Sequence, residues 1–152
     1  MVSSKQKLIV RAFKLNELLI DEDFAEELSR KLINSIGDFK ASFLEAGPNR
    51  CKGLTFDFEN ETFTFKLIGE NLTKDKMTAF MDLAVLINMN AKIQKHAFFK
   101  PTQEENPKYA LRTWLIRLGM NGDEYKTSRK VLLSELEGSS AFRKQRGEID
   151  KA

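Results

Sequence analysis

Between Leu54 and Leu67 the chain reads Leu-Thr-Phe-Asp-Phe, Glu-Asn-Glu, Thr-Phe-Thr-Phe-Lys-Leu. Apolar and polar side chains alternate on both sides of a short acidic interruption. Successive side chains of a strand point to opposite faces, so this pattern predicts a β-hairpin with one apolar and one polar side. If Asn60-Glu61 forms a two-residue turn, Phe58 opposes Phe63, Phe56 opposes Phe65 and Leu54 opposes Leu67. Thr55, Asp57 and Glu59 then face Lys66, Thr64 and Thr62 on the wet side. An isolated hairpin is marginal in water, so its apolar face needs a helical cover. Exposed phenylalanines could instead stack on single-stranded bases. The core reading is favoured, because the amphipathic helices of the chain need a sheet face to bury against.

Helical patterns surround the hairpin. Thr73 can cap a long helix to about Lys95, with Met77, Phe80, Met81, Ala84, Ile87 and Ile93 as its apolar stripe. Asp21-Glu22-Asp23 suits a helix N-terminus, where carboxylates meet free amide donors. Phe24, Leu28, Leu32, Ile33 and Ile36 follow at helical spacing as far as Gly37. A second short helix runs from Gly37-Asp38 to Ala46. Residues 7 to 13, Lys-Leu-Ile-Val-Arg-Ala-Phe, read as a strand because β-branched and aromatic types crowd a short run. Asn106-Pro107 is a strong helix start, since Asn supplies an acceptor and Pro loses no amide partner in the first turn. Leu111, Trp114, Leu115 and Leu118 continue it. Gly119-Met-Asn-Gly122 interrupts, and Asp123 opens a last helix through Leu132, Leu133 and Leu136.

Composition removes several functional classes. At 152 residues a compact fold removes roughly 70% of the unfolded surface from water. No staple is therefore needed. One cysteine, Cys51, and one histidine, His96, supply neither an intramolecular disulfide nor a zinc ligand set. A Cys51–His96 dyad lacks any surrounding nucleophile turn. The acidic triplet is better explained by capping than by a divalent metal, which needs convergent oxygens. No glycine-rich phosphate loop occurs. The expectation is a chain with no catalytic residue, no metal and no cofactor, without membrane span or export signal, working in the cytoplasm.

Charge is uneven along the chain. Residues 1 to 107 carry 15 basic and 16 acidic side chains, and residues 108 to 152 carry 10 and 6. The basic excess therefore lies in the C-terminal third. Lys126, Arg129 and Lys130 fall at spacings that align on a helix, and Arg112, Arg117 and Arg143 flank them. Such a surface could engage nucleic-acid phosphates. A solvated helical surface accounts for the same pattern without a ligand. The Gly119–Gly122 turn also suggests helix-turn-helix DNA binding. Leu115, where close packing wants a small residue, makes a plain helical hairpin the better description.

The segments Trp114-Leu-Ile-Arg-Leu-Gly-Met120, Asn-Gly-Asp-Glu-Tyr-Lys126, Arg129-Lys-Val-Leu-Leu133 and Gly138-Ser-Ser-Ala-Phe-Arg143 resemble a family usually labelled virulence-related proteins. Its members are carried by conjugative elements and phages of gut Firmicutes. The resemblance spans the second half of the chain, from the long helix onward. It implies mobile-element cargo and assigns no catalytic residue.

The sequence thus predicts one α+β domain over 1–152. A small antiparallel sheet with a β-hairpin is covered by the long helix, with a C-terminal helical pair over 107–138 and a frayed basic tail over 139–152. The leading functional expectation is a non-enzymatic mobile-element accessory protein that binds nucleic acid through Arg112, Arg117, Lys126, Arg129, Lys130 and Arg143. The alternative is a protein-interaction module that inhibits a host defence nuclease, with Asp21, Glu22, Asp23, Glu26 and Glu27 mimicking phosphate. An enzyme ranks third. The partner is accordingly nucleic acid or a host protein.

Overall fold

A computed structural model describes residues 1–67, 69–97 and 105–141. The fold is α+β. Six helices, α1 (Val2–Phe13), α2 (Glu22–Ser29), α3 (Ile36–Ala46), α4 (Lys74–Ile93), α5 (Pro107–Leu118) and α6 (Lys126–Ser134), accompany one hairpin of β1 (Leu54–Asp57) and β2 (Thr62–Phe65). Among the described residues no helix is long and apolar enough to cross a membrane. No group of three or more His, Cys, Asp or Glu side chains among them converges as a metal site would require.

The first correction concerns residues 7 to 13, which are helical. Ser3, Gln6, Ile9, Ala12 and Phe13 are all buried, a three-and-four spacing that only a helix produces. Two of these residues are polar, so the helical stripe is invisible to a search for apolar side chains. Gln6 is fully enclosed and bonds both backbone groups of Ile20, donating to its carbonyl at 2.8 Å and accepting from its amide at 2.9 Å.

The helix begun by the acidic triplet is shorter than its apolar spacing predicts. It stops at Ser29, and α3 starts anew with Ser35 accepting from the Asp38 amide. Leu32, Ile33 and Ile36 consequently stand outside the core, at 83, 36 and 51% exposure. Arg50 ties this corner together. It donates to Glu27 at 2.8 Å, to Asp21 at 3.4 Å and to the Ala46 carbonyl at 3.1 Å, and it lies 5.6 Å over the Phe24 ring.

The hairpin forms with its apolar face intact and its register shifted by two. Leu54 opposes Phe65 and Phe56 opposes Phe63. Asp57 is the reason: its carboxylate accepts from the amides of Glu59 and Asn60 and from the Asn60 side chain, building a wider turn than two residues allow. An even shift leaves every side chain on its predicted face. Phe39 and Phe43 of α3 sit on Phe56 at centroid distances of 5.2 and 4.9 Å. The long helix is not the main cover that the sequence predicts: α4 packs chiefly on α6, and it meets the hairpin only across a groove in which Phe63 and Phe65 face Ala84 and Val85.

The C-terminal helices pack as a pair beside α4. Asn106 caps α5 by accepting from the Tyr109 amide at 3.1 Å, and Leu111, Trp114, Leu115 and Leu118 are buried as their spacing predicts. Gly119 ends the helix in the left-handed region, φ 98°, which glycine adopts without strain. α6 begins at Lys126 and packs mainly on α4, with further contacts to α1 and α5. Ser128 donates to Asp82 of α4 at 2.5 Å, and Asn90 of α4 donates to the Leu118 carbonyl at 2.8 Å. The inner face of α4 is therefore Ala79, Leu83, Leu86 and Ile87. Of the predicted stripe, Ile87 is buried, whereas Met77, Met81 and Ile93 stand on the outside.

Candidate interaction surface

Six basic side chains make up the predicted nucleic-acid surface, and the fold disperses them. Lys126 and Lys130 are exposed, one turn apart on α6. Arg129 is half-buried and spends its guanidinium on the loop between α5 and α6, donating to the carbonyls of Met120 at 3.2 Å and Gly122 at 2.9 Å. It is a positioning residue for that turn. Arg112 and Arg117 are exposed on α5, but five residues of helix separate them by about 140°. They cannot share one face. Arg143 lies outside the described residues. Among the described residues no ion pair engages Arg112, Arg117, Lys126 or Lys130.

The acidic set is largely committed within the chain. Asp21 and Glu27 hold Arg50, Glu22 holds Lys7 at 2.9 Å and Glu26 holds Arg30 at 2.5 Å. A surface that mimics phosphate presents carboxylates to a partner's cations; here four of the five already have one. Cys51 is buried, and desolvation pushes its thiol above the usual range, away from the thiolate a nucleophile requires. His96 is exposed just beyond α4.

The most conspicuous surface feature takes in Met77, Met81 and Ile93, three residues that the sequence placed in the covering stripe of α4. Met77, Met81, Val85, Met89 and Ile93 recur at every fourth position of α4 and are 52, 64, 56, 57 and 78% exposed. On a helix such residues form a continuous ridge inclined to the axis. The ridge borders a groove of about 430 Å³ between α4 and the hairpin, with Glu61, Thr62, Phe63 and Phe65 on one wall and Ala84, Val85, Asn88 and Lys92 on the other. Phe63, itself 42% exposed, extends the apolar area across the groove. A signal for this was present in the sequence: α4 carries two apolar sets, and only one can face the interior. Single exposed apolar residues are ordinary on protein surfaces, whereas large contiguous patches are a common feature of interaction sites.

Comparison with known proteins adds no relative: the chain matches no family model, no curated protein and no solved structure.

Proposed function

We propose that this chain is a protein-interaction module whose binding surface is the outer ridge of α4, and that it serves a mobile genetic element without catalysing a reaction. The observation that supports the reading is the ridge itself, five large apolar side chains each more than half exposed on the longest helix. Methionine suits such a surface, because its unbranched, polarisable chain adapts to differently shaped partners. The mobile-element setting rests on the resemblance of the C-terminal segments. A photo-crosslinking residue placed at 81 or 89 is expected to give protein adducts in a cell extract, with this chain or another. The same group at 130 is expected to give few.

A second reading, nucleic-acid binding, is favoured by Lys126 and Lys130, which are exposed, aligned and outside any described ion pair. Two phosphate contacts would make the log affinity fall with log salt at a slope of about −1.8. Salt-sensitive duplex binding that disappears in Lys126→Glu/Lys130→Glu, together with no protein adducts at 81 or 89, would replace the first reading by the second.

A further inference from the structure

We infer that the outer edge of β1 takes an extended peptide as a third, antiparallel strand, and that apolar and acidic residues alternate in this peptide. The cleft concerned shares no lining residue with the groove beside α4, so the inference goes beyond the reading above and is tested separately from it.

Its starting point is the ladder. Among the described residues the sheet has two strands, and the Lys66 amide donates to the Gly53 carbonyl at 2.8 Å, in line with the register of Leu54 on Phe65. Residues of an antiparallel ladder alternate between pairs that bond each other and pairs whose amides and carbonyls point outward. Counting on from Gly53, Thr55 and Asp57 bond across to β2, whereas the main-chain groups of Leu54 and Phe56 point away from it. The Leu54 amide is taken by Cys51. That leaves the Leu54 carbonyl and both main-chain groups of Phe56 along the outer edge.

This edge borders a cleft of about 690 Å³. Leu54, Thr55 and Phe56 all line it, although Thr55 points to the opposite face of the hairpin from the other two. The cleft therefore runs along the edge of the strand and not beneath one face. Its far wall is the corner after α3, with Leu44, Pro48 and Asn49. A strand laid in it has its two rows of side chains in different surroundings. One row meets Phe43, Phe56 and Phe58, whose ring centroids lie 4.9 to 6.0 Å apart. The other meets Thr55 and Lys66, which share the polar face. Lys66 is exposed and joins no ion pair among the described residues, while Lys52, also in the lining, already holds Glu17. The uncommitted ammonium of Lys66 favours a carboxylate in the second row. In recognition of this kind, main-chain bonds supply affinity and the alternate side chains supply selectivity.

The test uses the full chain and a capped peptide, Gly-Val-Glu-Phe-Glu-Val-Gly. Amide exchange at Phe56 is expected to slow about tenfold when the peptide is present at about ten times its Kd, because exchange then requires the third strand to leave. In an antiparallel addition opposite Phe56, the amides of the Val and Phe residues point at β1 and those of the Glu residues point away. A peptide N-methylated on the Val and Phe amides is expected not to bind, whereas one N-methylated on the Glu amides binds. Lys66→Glu is expected to weaken binding about two- to fivefold, and a peptide with Lys in place of both Glu residues should prefer that variant. Circular dichroism unchanged from the parent checks that the variant folds. No binding by the parent chain at millimolar peptide overturns the inference, as does an equal or reversed preference between the two methylated peptides. Protection of Phe56 that grows with protein concentration when no peptide is present assigns the edge to a second copy and overturns it too. None of these outcomes alters what adducts at 81 or 89 say about α4.

Discussion

Gln6 holds Ile20 by two hydrogen bonds, one donated by the Ile20 amide to the glutamine oxygen and one donated by the glutamine to the Ile20 carbonyl, tying α1 to the segment that follows it. The pairing explains how a glutamine with no exposed surface is tolerated: both halves of its amide are satisfied, and so are both backbone groups of a residue outside regular structure. Gln6→Leu keeps the volume and orphans the two Ile20 groups. Its expected cost is about 2–3 kcal/mol, read from the midpoint of urea unfolding at unchanged slope.

Asn106 performs a comparable double task at the start of α5. Its oxygen accepts from Tyr109 and its amide donates to the Ser139 carbonyl at 2.9 Å, closing the C-terminal segment over the helix end. Asn106→Asp keeps the cap and loses the second bond, whereas Asn106→Ala loses both. Alanine should therefore destabilise by about 2 kcal/mol and aspartate by about half as much. Gly138→Ala should disturb the same contact. Its φ is 104°, and an added Cβ would lie 2.2 Å from the Asn106 side chain.

The turn of the hairpin responds to acid. Hydrogen bonds from Asn60 and Glu59 favour the charged form of Asp57 and hold its carboxyl below the usual aspartate range. A depressed folded value means that this contribution is present above the unfolded value and is lost as pH falls through the folded one. The amide resonances of Glu59 and Asn60 should therefore titrate with a midpoint below that of a free aspartate. Asp57→Ala should abolish the titration and broaden the turn.

Burial of Cys51 has a chemical consequence that can be timed. Desolvation raises its thiol, so the native chain should react with a disulfide reagent at mildly alkaline pH far more slowly than the urea-unfolded chain. Equal rates in the two states would mean that the thiol is readily reached in the native chain.

What was legible in the sequence follows from how many constraints each segment carries. Asn106-Pro107 and the Leu111–Leu118 spacing gave α5 its start and its buried face, because cap chemistry and periodicity agree there. The faces of the hairpin were legible, while its register was decided by a side chain: Asp57 captures the turn amides and lengthens the loop. Residues 7 to 13 read as a strand because the helical stripe of α1 runs through Ser3 and Gln6, whose burial depends on partners distant in sequence. α4 was misassigned in orientation, since both of its apolar sets obey helical spacing and α6 chooses between them. The candidate basic surface was read from charge and helical spacing. Charge does not reveal that Arg129 is held by the carbonyls of its own turn.

The ridge can be observed directly through its methionines. The chain has five: Met77, Met81 and Met89 on the ridge, Met120 fully buried, and Met1 at the start of α1. With ε-methyl labelling, addition of an extract that gives adducts at 81 or 89 should broaden the Met81 and Met89 resonances together, while the buried Met120 stays fixed. Ridge methyls that keep their positions and widths in that extract would contradict the claim that the outer face of α4 binds a protein.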